Sequence, residues 1–173
     1  IYTQAYTLSL HDALPILPFG FVDWVAWQRE RGAGDGGEER DLEYWRGQLS
    51  GLETLQLPTD RVRGQGQAYA GAVHRFEVPA QVAQRVREVG RSQGATQFMT
   101  LLAVFKVLLS RYSGQTDIVV GTPVSARGQA HTEGVIGYFV NSIVLRTDLS
   151  GEPGFAEALG RVKAVCVAGY EHD

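Results

Sequence analysis

The sequence predicts an α/β protein of the α+β type, in which helices pack on a mixed sheet. Five segments of the 173-residue chain repeat apolar residues at helical spacing, and three shorter segments have the alternating or continuous apolar pattern of strands. The segments follow one another as helix, helix, strand, helix, helix, strand, strand, helix. This order predicts a domain of sheet and helix layers rather than an all-helical bundle.

The first two predicted helices carry the tryptophans of the chain. Residues 21–28 space aromatic side chains three apart, and the glycine-rich run that follows is expected to end this helix. Residues 38–49 form a second helix, whose acidic first turn suits the helix dipole. At this spacing Trp24, Trp27 and Trp45 are expected to be core residues rather than a stacking platform for a ligand.

A loop, a strand and a helix are expected in the middle of the chain. Residues 51–71 contain proline and several glycines and are expected to be an extended loop, whereas residues 72–78 alternate in polarity and predict a strand. Pro79 opens a helix that ends near Gln93, and Gly94 follows where a helix C-terminus favours glycine. Three valines of this helix are expected to face inward: Val82, Val86 and Val89.

The strongest helix prediction lies in the next segment. Thr96 is expected to cap a helix over residues 97–112, which carries a wide apolar stripe. The stripe consists of Phe98, Leu101, Leu102, Phe105, Leu108, Leu109 and Tyr112. Residues 117–122 and 138–147 predict strands joined by a polar loop, and a last helix is expected after Pro153.

Composition limits the classes of function. The chain has 16 basic and 19 acidic residues, and no basic block indicates binding to nucleic acid or to an anionic membrane. The longest apolar run, residues 99–109, is interrupted by Lys106 and is far shorter than the about 20 residues that span a bilayer. The single Cys166 excludes an intramolecular disulfide and is compatible with the reducing cytoplasm, which is the expected location.

No familiar catalytic or metal-binding motif is complete in the sequence. Gly64 and Gly66 lack the third glycine and the strand–helix context of a dinucleotide site, and there is no Walker lysine, G-x-S-x-G elbow or H-E-x-x-H. The four histidines are scattered singly, so no metal site is predicted. Cys166 is expected to be a small core residue of the last helix rather than a nucleophile.

Asn141 and Arg127 are the polar residues whose positions indicate a site. In the predicted strand, Asn141 shares one face with Phe139, Ile143 and Leu145, so a polar amide interrupts an apolar row. The amide either makes a structural hydrogen bond to a neighbouring loop or faces a cavity. Arg127 is either a solvated loop residue or a clamp that holds its loop. The pattern alone leaves both questions open.

Five strings of sequence form one ordered series along the chain. They are PFGFVDWVAWQRE (18–30), DLEYWRGQLSG (41–51), LPTDRVR (57–63), GATQFMTLLAVFKVLLSRYSGQTDIVVGTPVSAR (94–127) and EGVIGYFVNSIVLRTDLSG (133–151). Together these strings resemble condensation domains of nonribosomal peptide synthetases. The resemblance extends in unbroken order over about residues 17–173. Its most specific parts are the strings around residues 119–127 and 136–146.

The resemblance implies a chloramphenicol-acetyltransferase-like fold of two lobes with a tunnel between them. It also implies a reaction in which two carrier proteins deliver phosphopantetheine-tethered substrates, and the acceptor amine attacks the donor thioester to form an amide. The implied partners are peptidyl or aminoacyl carrier domains and the adjacent adenylation domain of the same synthetase, with no nucleic acid and no membrane. No cofactor is expected to bind the chain directly, because the phosphopantetheine belongs to the carriers.

By this resemblance, the chain holds the end of the first lobe and most of the second. Residues 17–50 are assigned to the helical end of the first lobe, and residues 51–173 to a truncated second lobe. Residues 1–16 are expected to be a non-native extension for a separate reason, because they resemble translated sequencing-adaptor text and show neither a helix nor a strand period. The family signature HHxxxDG, whose second histidine orients or deprotonates the amine, does not occur in the sequence. The chain alone is therefore expected to be inactive. The later family motif HQDxPFE is matched only in part, by YEHD at 170–173.

The resemblance also assigns candidate site residues. Asn141, Ser142 and Gly137 are expected at the substrate tunnel, and Arg127 and Gly121 are expected to position the loops beside it. An uncharged amide can orient a thioester or an amine without competing for its proton. Two alternatives stay open: a non-catalytic module that binds carrier proteins, and an epimerisation, heterocyclisation or starter-acylation domain on the same scaffold.

Overall fold

The computed structural model describes residues 20–34, 36–60, 71–128 and 130–173, except for the side chains of residues 31–34 and 131. The predictions for residues 1–16 and for Gly64 and Gly66 lie outside the described residues. Within the described ranges the helices and strands follow one another as α1 (Phe21–Gly34), α2 (Gly37–Leu49), α3 (Ala80–Ser92), α4 (Gln97–Ser113), β1 (Asp117–Ser125), a 3₁₀ turn (Ala130–Thr132), β2 (Val140–Asp148) and α5 (Phe155–Glu171).

The mixed architecture confirms the predicted α+β class. β1 and β2 pair in a two-stranded sheet. The backbone N–H of Leu149 donates to the oxygen of Thr116 at 2.8 Å, and that of Ala126 donates to the oxygen of Phe139 at 2.7 Å. These two bonds lie at opposite ends of the sheet and fit a single antiparallel register.

The prediction of a strand over residues 72–78 was wrong. Residues 71–79 have no regular secondary structure, and Val73 and Phe76 are 84% and 77% exposed. Alternating polarity indicates only which side chains could face a core, whereas a strand also needs a neighbour for its backbone hydrogen bonds. Among the described residues the sheet consists of β1 and β2, so this segment has no such neighbour there.

Two elements are longer than predicted. α1 continues through its glycines to Gly34, because a helical glycine costs only about 1 kcal/mol relative to alanine and weakens a helix without ending it. β1 continues past Thr122 through Pro123 to Ser125. A proline is tolerated at an edge strand, where its missing N–H need not serve a second neighbour.

Burial on α3 and α4 also differs from the prediction. Val82 and Val89 of α3 are exposed, and the buried residue of that helix is Gly90. On α4, most of the predicted apolar stripe is exposed, by 41 to 66% for Phe98, Leu101, Phe105, Leu108 and Tyr112. The buried residues of α4 are Met99, Thr100, Leu102, Ala103 and Lys106.

The described residues divide into two compact units. The first combines residues 20–40 with residues 125–140. Its core consists of Trp24, Val135 and Phe139, and the rings of Trp24 and Phe139 are 4.7 Å apart between centroids. Phe21 packs on the same cluster, with its ring 5.1 Å from that of Phe139. Trp24 is therefore a core residue, as predicted.

The second unit combines residues 41–124 with residues 141–173 and holds the larger core. α4 packs against α3 and α5. The buried cluster consists of Met99, Leu102, Ala103, Ile143, Leu145, Leu159, Val162 and Cys166, and Trp45 packs against it. Thr96 caps α4 as predicted, because its hydroxyl accepts a hydrogen bond from the backbone N–H of Met99 at 3.2 Å. Cys166 is a buried core residue, also as predicted.

Candidate functional site

Asn141 is the second residue of β2 and lies where the apolar row leaves the core. Ile143 and Leu145 of the same row are buried, whereas Asn141 is exposed. Its Nδ2 donates to Oδ1 of Asp173 at 2.5 Å, and its Oδ1 accepts a hydrogen bond from the backbone N–H of Ser142 at 2.8 Å. The carboxamide is thus held in one orientation while it stays accessible to a molecule from solution.

The neighbouring candidates Ser142 and Gly121 lie on the two paired strands. Ser142 is exposed on β2, and its side chain points to the opposite face of the sheet from Asn141. Gly121 lies in β1, and a Cβ atom added there would meet nothing within 4 Å. Packing among the described residues therefore does not require glycine at position 121.

Arg127 lies in the first unit, just after β1. Its Nη1 donates to the backbone oxygen of Thr132 and to that of Val135, the second at 2.8 Å. The guanidinium carbon lies 3.9 Å from the centroid of the Phe139 ring, within the range of a cation–π contact. These contacts hold the loop between the strands in a closed turn.

Gly137 belongs to the same loop and packs directly against α1. A Cβ atom added at Gly137 would lie 2.4 to 2.9 Å from side-chain atoms of Phe21. Only the absence of a side chain allows this close approach. Arg127 and Gly137 are therefore part of the first unit, whereas Asn141, Ser142 and Gly121 are part of the second.

The sequence reasoning missed a polar cluster at the end of α5. Nδ1 of His172 lies 2.7 Å from Oδ1 of Asp41, and its ring stacks on Tyr44 with the centroids 4.1 Å apart. The backbone oxygen of His172 accepts a hydrogen bond from Nε1 of Trp45 at 2.9 Å. The three partners lie at positions i, i+3 and i+4 of α2, and therefore on one face of the helix. This spacing is the only sign of the cluster in the sequence.

Lys106 is the second residue whose position was missed. Its side chain is 0% exposed, and Nζ donates to the oxygen of Leu145 at 2.7 Å and to Oγ1 of Thr147 at 2.6 Å. Burial lowers the pKa of Lys106 to about 8, although nearby Cys166 and Asp117 partly oppose the change. The signal for this site was the single charge inside an apolar run.

The described side chains bear on two further kinds of site, a reactive thiolate at Cys166 and a metal-binding group. Burial raises the pKa of the Cys166 thiol, which disfavours the nucleophilic thiolate. In the described ranges, no three His, Cys, Asp or Glu side chains gather into a metal-binding group. No helix of those ranges is long and apolar enough to cross a membrane.

Known proteins that resemble the chain include nonribosomal peptide synthetases. The family model of the condensation domain matches residues 1–173. One of the linear gramicidin synthase proteins of Brevibacillus parabrevis is 46% identical over 170 residues, which are 98% of this chain. The chain spans only 2% of the length of that protein.

Two solved structures are similar over most of the chain. The first condensation domain of the calcium-dependent antibiotic synthetase, in complex with a substrate analogue, has a TM-score of 0.75 and 26% identity. The match covers 94% of this chain and 38% of that one. The X-domain from teicoplanin biosynthesis, solved in complex with OxyB, has a TM-score of 0.79 and 28% identity, over 88% of this chain and 35% of that one.

These matches confirm both the predicted fold, which is chloramphenicol-acetyltransferase-like, and the predicted family. The identity extends across nearly the whole chain and includes the helices and strands described above. The chain belongs to the condensation domain family of nonribosomal peptide synthetases.

Proposed function

We propose that the chain is part of a condensation domain that joins a donor acyl group and an acceptor amine, each tethered to a carrier protein. In this reaction the acceptor nitrogen attacks the thioester carbonyl, the amide C–N bond forms, and the C–S bond breaks to release the carrier thiol. The observation that carries the proposal is the 46% identity to a linear gramicidin synthase protein over 98% of the chain.

Asn141 is the residue proposed to contact the tethered substrates. Its exposed and oriented carboxamide can position a thioester or an amine by hydrogen bonds without taking up a proton. Ser142 is proposed to contribute through its backbone, because its side chain points to the opposite face of the sheet, and Gly121 is proposed to position a loop of the same unit. In the first unit, Gly137 and Arg127 are proposed to shape the loop that precedes β2. None of these groups can serve as a general base, and the sequence lacks HHxxxDG. The chain alone is therefore proposed to bind loaded carriers without turnover.

The proposed partners are the carrier and adenylation domains of the same synthetase. The phosphopantetheine arms of the carriers would bring both substrates, so that the chain needs no cofactor of its own. The single cysteine, Cys166, agrees with a cytoplasmic location, where such thiols stay reduced.

Binding and turnover can be tested separately on the purified chain. Titration with a carrier protein that bears aminoacyl-phosphopantetheine is expected to give saturable binding, and mass spectrometry with paired donor and acceptor carriers is expected to detect no amide. Asn141→Asp is expected to weaken binding of the loaded carrier but not of the unloaded one. Gln81→Glu makes the same charge change on the exposed surface of α3 and serves as the control.

Each part of the proposal has its own contrary result. Amide formation above background would show that the chain itself is catalytic. Failure to bind either form of the carrier would overturn the assignment of the carriers as partners. Equal weakening by Asn141→Asp and Gln81→Glu would remove Asn141 from the binding site.

A second candidate function is a protein-binding module without acyl transfer. The specific observation in its favour is the similarity to the X-domain that was solved with OxyB. Binding of an unloaded carrier, or of another protein of the same synthetase, as tightly as the loaded carrier would favour this module. A preference for the loaded carrier would favour the condensation domain.

A further inference from the structure

His172 and Asp173 form a bridge between α2 and β2. His172 contacts three residues of α2 through its ring and its backbone oxygen, and the partners are Asp41, Tyr44 and Trp45. The next residue, Asp173, accepts the hydrogen bond from Asn141 on β2. All of these residues belong to the second unit.

The contacts of His172 determine where Asp173 lies. The backbone oxygen that accepts the Trp45 hydrogen bond belongs to the peptide group that joins His172 to Asp173. Because the peptide group is planar, a bond to its oxygen restricts the direction in which the chain continues when the rest of His172 is also held. The ring of His172 is held at the same time, by Asp41 at 2.7 Å and by stacking on Tyr44.

Asp173 in turn selects one of the two orientations of the Asn141 carboxamide. An ionised carboxylate only accepts hydrogen bonds, and the backbone N–H of Ser142 only donates. The observed orientation satisfies both, because Nδ2 faces Asp173 and Oδ1 faces Ser142. If the Asn141 carboxamide rotated by 180°, its oxygen would face the Asp173 carboxylate and its NH₂ group would face the backbone N–H of Ser142. Both contacts would be repulsive.

We propose that His172 is a positioning residue, which holds Asp173 so that its carboxylate orients the Asn141 carboxamide. The role of this device in substrate binding rests on the function proposed above for Asn141. The restricted motion of the Asn141 side chain does not rest on that function, because this restriction follows from contacts within the chain.

The test measures the order of the Asn141 side chain directly. In a ¹⁵N-labelled sample, NMR relaxation of the Nδ2 group is expected to give an order parameter close to the rigid value of about 0.85. His172→Phe keeps an aromatic ring on Tyr44 but removes the hydrogen bond to Asp41, and the order parameter is expected to fall below about 0.6. His172→Asn places an amide N–H where Nδ1 stood and is expected to restore part of the order.

Further variants separate positioning from a structural effect. Asp173→Ala is expected to lower the order parameter as much as His172→Phe, although the His172–Asp41 contact remains. His74→Phe, at an exposed histidine outside the cluster, is the matched control and is expected to change nothing. If His172→Phe does not fold, Asp41→Ala removes the same contact from the α2 side.

The outcomes distinguish this inference from the proposed function. An unchanged Asn141 order parameter in folded His172→Phe or Asp41→Ala would overturn the inference, even if the melting temperature fell. A fall in the order parameter together with a wild-type chain that binds no carrier would support the positioning role and overturn only the proposed function.

Discussion

The two faces of α4 carry similar side chains in different surroundings. The inner face places Met99, Leu102 and Ala103 in the core of the second unit. The outer face places five large apolar residues in solvent at the 3–4 spacing of a helix-packing stripe. They are Phe98, Leu101, Phe105, Leu108 and Tyr112. The charged residue Lys106 lies on the inner face.

The difference shows that polarity does not decide which face of this helix is covered. A helix that is apolar all round has no single inward direction in its pattern. The inner face is chosen by the elements that pack on it, which include β2 and α5. Lys106 is accepted there because Leu145 and Thr147 provide oxygen atoms for its ammonium group. Four predictions test this comparison.

The largest effect is expected when adjacent leucines on the two faces are truncated. Leu102→Ala, on the inner face, is expected to lower the free energy of unfolding by about 2–5 kcal/mol, because it leaves a cavity in the core. Leu101→Ala, on the outer face, is expected to change it by less than about 0.5 kcal/mol. Urea denaturation of both variants measures the difference, and equal losses would contradict the assignment of the faces.

The next effect concerns the buried charge of Lys106. Because its pKa is lowered from 10.5 to about 8, the folded state binds fewer protons than the unfolded state between these two values. The free energy of unfolding therefore rises with pH through this window. At neutral pH the buried charge costs about 3 kcal/mol of folding free energy, which is the most that removing the charge could add to stability. The double substitution Lys106→Met and Thr147→Val removes the charge and its hydroxyl partner together, and is expected to stabilise the protein at pH 7.

The pH dependence provides the control for this prediction. Between pH 8 and 9 the wild-type chain is expected to gain about 1 kcal/mol of unfolding free energy relative to the double variant. The comparison is made between the two proteins because the raised pKa of Cys166 lowers stability with rising pH in both of them. Chemical denaturation at both pH values measures the slope, and a parallel rise in the two proteins would rule out Lys106 as its source.

A smaller effect is expected where α3 meets the buried end of α4. A Cβ atom added at Gly90 would lie 2.5 Å from Oγ1 of Thr100, so Gly90→Ala is expected to destabilise by about 1–3 kcal/mol. The second substitution Thr100→Ala removes that oxygen and is expected to recover part of the loss. Gly47→Ala, in α2 with open space around it, is the matched control and is expected to stabilise by up to about 1 kcal/mol. Thermal unfolding compares the three variants.

The smallest effect on stability, and a distinct effect on association, is expected on the outer face. The double substitution Leu101→Lys and Leu108→Lys is expected to change the free energy of unfolding by less than about 0.5 kcal/mol. A continuous apolar stripe favours association between molecules, so the wild-type chain is expected to form larger species at high concentration than the variant. Sedimentation velocity of both proteins checks this. Identical profiles would mean that the outer stripe mediates no contact between copies.

Features that depend on near neighbours in the chain could be predicted from the sequence. The Thr96 cap is one example, because its hydroxyl bonds to a residue three positions later. Asn141 could be recognised as an anomaly because the residues that make the apolar row lie two positions apart. The prediction of a strand over residues 72–78 was wrong. The alternating pattern is local, whereas the backbone hydrogen bonds of a strand need a partner segment that can lie far along the chain.

The sequence by itself determined the helices, the α+β class, the two paired strands and the family. Only the tertiary structure decided that Lys106 is buried and that the apolar stripe of α4 is exposed to solvent. It also decided that His172 contacts Asp41, which lies 131 positions earlier in the sequence. The physical reason is the range of the interactions. Helix hydrogen bonds and caps join residues within about four positions, whereas burial and polar partners depend on segments that meet only after the chain has folded.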